Sequence, residues 1–225
     1  MAETVKKGDF AEIKFTGLVE GKVFDSNIAE DLKQIDDKAV PEKTIVIVGQ
    51  GMVVKGFDNF LVGKELNKQC EISLTPSEAY GQRNRELIRT IPLRVFHEQK
   101  IEPRPGATFV FDNQLAKVIA VSGARVTTDF NNPLAGKNVT YKFTISRLVD
   151  DLKEKAETVC KLLFRFVPEI EIQNNAPLIK GPAILENFVK QSQPKFKEFL
   201  GMEVSFKAEE PKKENLEVVA SGQEI

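Results

Sequence analysis

Histidine occurs once in the 225 residues, at His97, and cysteine twice, at Cys70 and Cys160. A transition-metal centre draws on clustered Cys and His ligands, so none is expected. The cysteines lie far apart and lack a CxxC neighbour, which leaves a disulfide framework unsupported and points to structural thiols. His97, beside Glu98 and Gln99, reads as a solvated surface residue. No apolar run approaches the ~20 residues of a membrane-spanning helix. The opening MAETVKKGDF lacks the apolar core of a secretion signal, so the cytoplasm is the expected location. Lysine and arginine number 32 against 33 acidic residues, a net charge of -1 without the basic footprint of a nucleic-acid binder. Neither nucleic acid nor membrane is an expected partner, and no cofactor is implied.

What remains is 41% hydrophobic and 29% charged, a balance suited to globular folding, with length for one large domain or two to three small ones. The run Thr44 to Val48 is short, β-branched and followed by glycine, which predicts a buried strand. Gly49 and Gly51 allow a sharp turn. Beyond them, Val53, Val54 and Phe57 form an apolar floor where a short helix opens over Phe57 to Val62. Taken alone, this stretch is accounted for by an ordinary core corner.

Around it the chain is β-rich. In FAEIKFTG, Ala11, Ile13 and Phe15 alternate with Glu12, Lys14 and Thr16, as in a strand with one buried face. A turn at Glu20-Gly21 returns through Phe24 and Asp25. The polar stretch Asn27 to Lys43 reads as a loop with a short surface helix. Cys70, Ile72 and Leu74 then alternate inward before Pro76. Glu86 to Phe96 is apolar and irregular, and Glu102 to Gly106 is a breaker. Two β-rich runs and a hairpin turn at Ser122-Gly123 lead to Phe130. This unit of about 45 residues is small for independent folding. Val139, Tyr141, Phe143 and Ile145 share one face of a return strand. Helical spacing then begins at Leu148 and runs through Leu152, Ala156, Val159 and Leu163 for about four turns. A short strand over Glu169 to Gln173 follows. A second helix starts after Gly181-Pro182, with a kink or restart expected at Pro194. Gly201 ends it, Met202 to Phe206 alternates as a strand, and the tail from Ala208 reads as frayed.

Three separated strings, FTGLVEGKVFDS (Phe15 to Ser26), GQGMVVKGF with FLVGK (Gly49 to Lys64) and AYG (Ala79 to Gly81), resemble the FKBP-type peptidyl-prolyl cis/trans isomerases. A fourth, FNNPLAGKNVTYKF (Phe130 to Phe143), is similar to the return strand of long prokaryotic members that carry an insert-in-flap domain. The helical C-terminal segment looks like that of the larger archaeal members. The resemblance implies an α+β fold: an FKBP-like antiparallel sheet wrapped on a short helix, a small β-rich insert, and a C-terminal α+β unit. The corresponding boundaries are 1–83 with 130–149, 84–129, and 150–225.

For the site, the resemblance implies Asp25 as pocket carboxylate and Val53 and Val54 as wall, with the Val54 N–H donating to the substrate carbonyl. Phe57 becomes the aromatic floor, Tyr80 the rim hydroxyl and Tyr141 an aromatic from the last strand. Phe15 stands where tyrosine is common, Phe57 where the best-known small eukaryotic member has tryptophan, and Thr44 where an aromatic is frequent. Phe15, Phe24 and Val53 would bind the substrate. Ile91, Leu93 and Phe96, in an insert also rich in Ile88 and Val95, would contribute an apolar binding surface. Each residue alone has a plainer reading: Asp25 as a turn cap, Tyr80 as packing, the insert residues as that unit's own core. Rotation about Xaa-Pro needs no covalent intermediate, so the lack of a Ser/His/Asp or Cys/His arrangement agrees with this chemistry.

The implied partners are unfolded or partly folded polypeptides containing proline. A homodimer through the C-terminal unit is a further expectation, with Phe196 and Phe199 as the aromatics buried between chains. The alternative function is a non-catalytic holdase or scaffold that keeps the fold.

Overall fold

The computed structural model describes residues 4–111 and 114–209. β1 (Phe10–Val19) turns Ala11, Ile13 and Phe15 inward, as the alternation predicts. Thr16, expected outside with Glu12 and Lys14, is buried instead. Its hydroxyl bonds Ser26 Oγ and Asp31 because the chain after β2 (Lys22–Ser26) folds over it. β1 and β2 form a hairpin through Glu20 and Gly21, both at positive φ. The expected surface helix is α1 (Ala29–Leu32). β3 (Thr44–Ile47) pairs with the first part of β1, so β2 and β3 lie end to end along one edge of that strand. α2 (Lys55–Leu61) buries Phe57 and Leu61, and β4 (Gln69–Leu74) buries Leu74 beneath it.

The next segment corrects the expectation of irregular chain over Glu86 to Phe96. It forms β5 (Ile88–Pro92) and α3 (Leu93–Glu98), with Pro92 at the helix N-cap in extended conformation. β6 (Thr108–Phe111), β7 (Gln114–Ser122) and β8 (Arg125–Asp129) complete a four-stranded sheet of order β5-β8-β7-β6. Phe96, Val118 and Val126 form its small core. His97 is exposed in the last turn of α3, as expected.

β9 (Val139–Leu148) returns between β1 and β4, with Val139, Tyr141, Phe143 and Ile145 all buried against α2. Its last residue is Leu148, so the helix does not begin there. α4 (Leu152–Phe164) starts after Asp151, whose carboxylate accepts the Glu154 N–H at 2.9 Å. β10 (Glu169–Gln173) occupies the expected residues. Its hairpin partner β11 (Ala176–Gly181) was not anticipated, although Asn174-Asn175, both at positive φ, marks the turn. α5 (Leu185–Leu200) runs through Pro194 without a restart, held by Val189 and Phe196 in the core on either side of the proline. Gly201 ends it at φ 73°. β12 (Ser205–Ala208) begins later than expected and pairs parallel to β11. Beyond Glu209 the predicted fray lies outside the described residues.

Phe196 also corrects the expectation that it serves between chains. It is 0% exposed and packs on Phe164 within its own unit. α4 and α5 share this core with Phe10 and Ile47 of the first sheet, so the C-terminal unit is packed directly against the back of β1 and β3. Met52 touches both cores.

Candidate active site

Where α2 packs on the sheet, widely separated residues converge on one hollow of about 510 Å³. Its lining includes Phe15 from β1, Asp25 from β2, Thr44 from β3, Val53 and Val54 before α2, Phe57 within it, Tyr80, and Tyr141 from β9. The predicted pocket residues are thus brought together, Phe24 excepted. Phe24 does not line the hollow. Its ring stands edge-on to Tyr80 and Tyr141 at 5.9 and 5.8 Å and buttresses them from outside. Gly17 permits this placement, since a Cβ there would lie 2.7 Å from the Phe24 ring. Phe96, expected on the apolar binding surface of the insert, is corrected as well. As a 0% exposed ring at the centre of the insert it presents no surface, and Ile91 and Leu93 are partly buried against the same core.

The floor is a laminate of rings. Phe57 stacks on Tyr141 with centroids 4.7 Å apart and planes 16° from parallel, and Phe15 tilts against both at 6.2 Å. Each aromatic pair contributes about 0.5–1.5 kcal/mol beyond area burial, enough to keep the floor rigid. Tyr80 and Tyr141 join their hydroxyls at 3.0 Å. Burial, then the Tyr80 hydroxyl, pushes the Tyr141 phenol far above the usual tyrosine range. Burial chiefly raises Tyr80 as well, with a smaller contribution from the Asp25 charge. Both rings therefore keep their protons; one is donated within the pair, and the hydroxyl that accepts it has its own proton free for a ligand. Tyr80 follows a 3-10 turn at Pro76–Glu78, fixed by a capping box from Thr75 and by Gly136 N–H donating to the Gly81 carbonyl at 2.8 Å.

Asp25 stands at the rim, still open to solvent on one side. Partial burial raises its pKa, opposed by a hydrogen bond from the Ser26 amide. With its phenylalanine side chain, Phe15 offers the carboxylate no hydroxyl. Val54 is the N-cap residue of α2, so its N–H has no intrahelical partner and stays available to a ligand carbonyl.

Five contributors were not read from the sequence. Asp58, buried in α2, accepts the Gly49 and Gly51 amides at 2.7 Å each and fixes the turn that carries Val53 and Val54. A buried Asp seven to nine residues after a Gly-x-Gly turn was the available signal. Ile45, Val46 and Met52 complete the β3 wall, and Lys161 reaches the hollow from α4; nothing local marks Lys161. Among the described residues no group of three or more His, Cys, Asp or Glu is arranged to hold a metal. No helix among them is long and apolar enough to cross a membrane.

The sequence profile of the FKBP-type peptidyl-prolyl cis-trans isomerases matches residues 1–116. A short-type peptidyl-prolyl cis-trans isomerase of Methanocaldococcus jannaschii is 35% identical over 149 residues, 64% of this chain and 93% of that protein. The FKBP-type isomerase SlyD of Aeromonas hydrophila is 30% identical over 115 residues, 49% of this chain and 53% of its own length. The FKBP-type 16 kDa isomerase of Escherichia coli is 27% identical over 150 residues, 64% and 94% of the two chains.

Proposed function

The chain belongs to the FKBP-type peptidyl-prolyl cis-trans isomerase family, and we propose that the aromatic hollow is where it rotates Xaa-Pro bonds of unfolded or partly folded polypeptides. The observation that carries this reading is the convergence of Asp25, Val54, Phe57, Tyr80 and Tyr141 on one aromatic-floored cavity from four separated segments.

The barrier to be lowered, about 18–20 kcal/mol, arises from amide resonance that is lost as the bond twists. Water stabilises the planar, charge-separated amide, so a dry aromatic floor disfavours the ground state. A site that fits the twisted imide better than either planar isomer lowers the barrier further, about 1.4 kcal/mol for each tenfold in rate. Phe57 and Tyr141 hold the proline ring, while Val54 N–H and the Tyr80 hydroxyl donate to substrate carbonyls. Asp25 acts as a fixed charge and acceptor rather than as a base. No protein group exchanges a proton with substrate, which suits the raised tyrosine pKa values.

The insert, residues 84–129, is the proposed holding surface for unfolded segments. Support comes from its outer face, where Val110 pairs across the strands with Leu115 and the two are 63% and 48% exposed, with Ile119 further along β7. These residues, rather than Phe96, are the apolar groups such a segment would meet. Holding a chain there raises its effective concentration at the hollow. The C-terminal unit offers Ile184, the N-cap residue of α5, and Phe188 in its first turn, 73% and 54% exposed, as the surface for a homodimer.

The test is a proline-limited refolding assay on the full chain. Wild type accelerates the slow phase, and Asp25→Ala and Tyr80→Phe each reduce that acceleration at least severalfold. A wild type that leaves the slow phase unchanged while suppressing aggregation would replace this reading with the non-catalytic holdase.

A further inference from the structure

Among the described residues that line the hollow, only Asp25 and Lys161 carry charge. They come from different units of the protein: Asp25 from the hairpin of the first sheet, Lys161 from the last turn of α4. α4 is not a mobile neighbour. Ala156, Val159 and Cys160 on its inner side share a core with Phe10 and Ile47, and Ile45 and Met52 pack against that core while also walling the hollow. The residue immediately before Lys161 is thus anchored, and Lys161 itself turns outward to the rim, exposed.

Three neighbouring cations are paired. Lys43 and Arg147 are both bound to Glu12 and Glu154, and Lys155 faces Asp150. Lys161 has no carboxylate within ion-pairing distance among the described residues, although Glu157 lies one turn earlier on its helix. An unpaired ammonium beside an apolar cavity that binds an extended chain is placed to meet that chain's side chains.

Resting on the isomerase reading of the hollow, we infer that Lys161 makes the C-terminal unit part of the substrate site, selecting chains with an acidic residue next to the proline. The proline enters the aromatic floor, the chain leaves over the β3 rim, and a neighbouring Glu or Asp carboxylate meets the ammonium. A Lys or Arg at that place meets like charge. A lysine in a last helical turn also complements the helix dipole, but that role alone would leave substrate preference untouched.

The experiment uses the full chain and short capped peptides with Glu, Gln or Lys immediately before or immediately after proline, with catalysed exchange followed by NMR at subsaturating peptide. For exposed charge pairs the expected preference of wild type for Glu over Lys is about two- to fivefold at one of the two positions. Lys161→Glu inverts the ratio at that position, and Lys161→Arg retains it. Raising salt toward 1 M, where the screening length is about 3 Å, flattens it. A ratio that is the same in wild type and Lys161→Glu at both positions, with all peptides still turned over, overturns the inference and leaves the isomerase site intact. Failure of wild type to turn over any peptide overturns the underlying site reading and this inference with it.

Discussion

The buried carboxylate of Asp58 reaches back across the turn to the amide of Gly51, at 2.7 Å, and its other oxygen takes the amide of Gly49 at the same distance. One side chain on α2 thereby sets the path of the segment that presents Val53 and Val54. Hydrogen bonds to charged groups are worth about 1.5–3 kcal/mol each. Asp58→Ala is therefore expected to destabilise the protein by about 3 kcal/mol or more in chemical denaturation. It should also lower catalysed refolding even where the protein remains folded, because the Val54 amide is no longer held. Unchanged stability would mean that the turn holds itself.

Asp25 gives the opposite pattern. Its folded-state pKa is raised by burial above the ordinary 3.8. The stability it contributes is therefore fully present below the unfolded value and lost as pH rises through the folded one. At neutral pH the ionised carboxylate is a cost borne for function. Asp25→Asn should melt no lower than wild type at pH 7, with any advantage vanishing toward pH 3, while its isomerase rate falls. A marked loss of melting temperature at pH 7 would contradict this.

The two ends of the insert meet. Arg83 forms an ion pair with Asp129, and Asn84 N–H donates to Asn131 Oδ1 at 2.8 Å. A short linker replacing residues 84–129 can therefore close the chain without spreading the sheet around Tyr80. The shortened protein is expected to isomerise tetrapeptides at near wild-type rates and to act severalfold more weakly on an unfolded protein. Equal loss on both substrates would refute the division of labour between hollow and insert.

Sedimentation velocity tests the C-terminal surface. If Ile184 and Phe188 are covered by a second chain, the full-length protein sediments as a dimer, and Ile184→Asp with Phe188→Asp yields monomer with isomerase activity retained. A monomeric wild type at micromolar concentration removes the proposed dimer.

Where the sequence was readable, one physical pattern acted locally. β1 and β9 alternate because each buries a single face, and Tyr141 and Phe143 could be assigned inward from period two alone. The same logic misplaced Phe96 and Phe196. Hydrophobicity states that a ring will be covered, but not by what: Phe96 is covered by its own small sheet and Phe196 by Phe164. Thr16 went wrong for a related reason, since its cover is a polar loop that supplies Ser26 and Asp31 as partners.

The sequence by itself determined the alternating strands of the first sheet, the glycine turn, the short helix and the set of residues able to form an aromatic floor, because these follow from side-chain periodicity and local backbone freedom. Only the tertiary structure decided that Phe24 stands behind the floor rather than on it, that Asp58 ties the turn, and that Lys161 arrives at the rim from another unit. Those placements depend on which distant surfaces pack together, and that is set by the summed burial of whole faces rather than by any local stretch of chain.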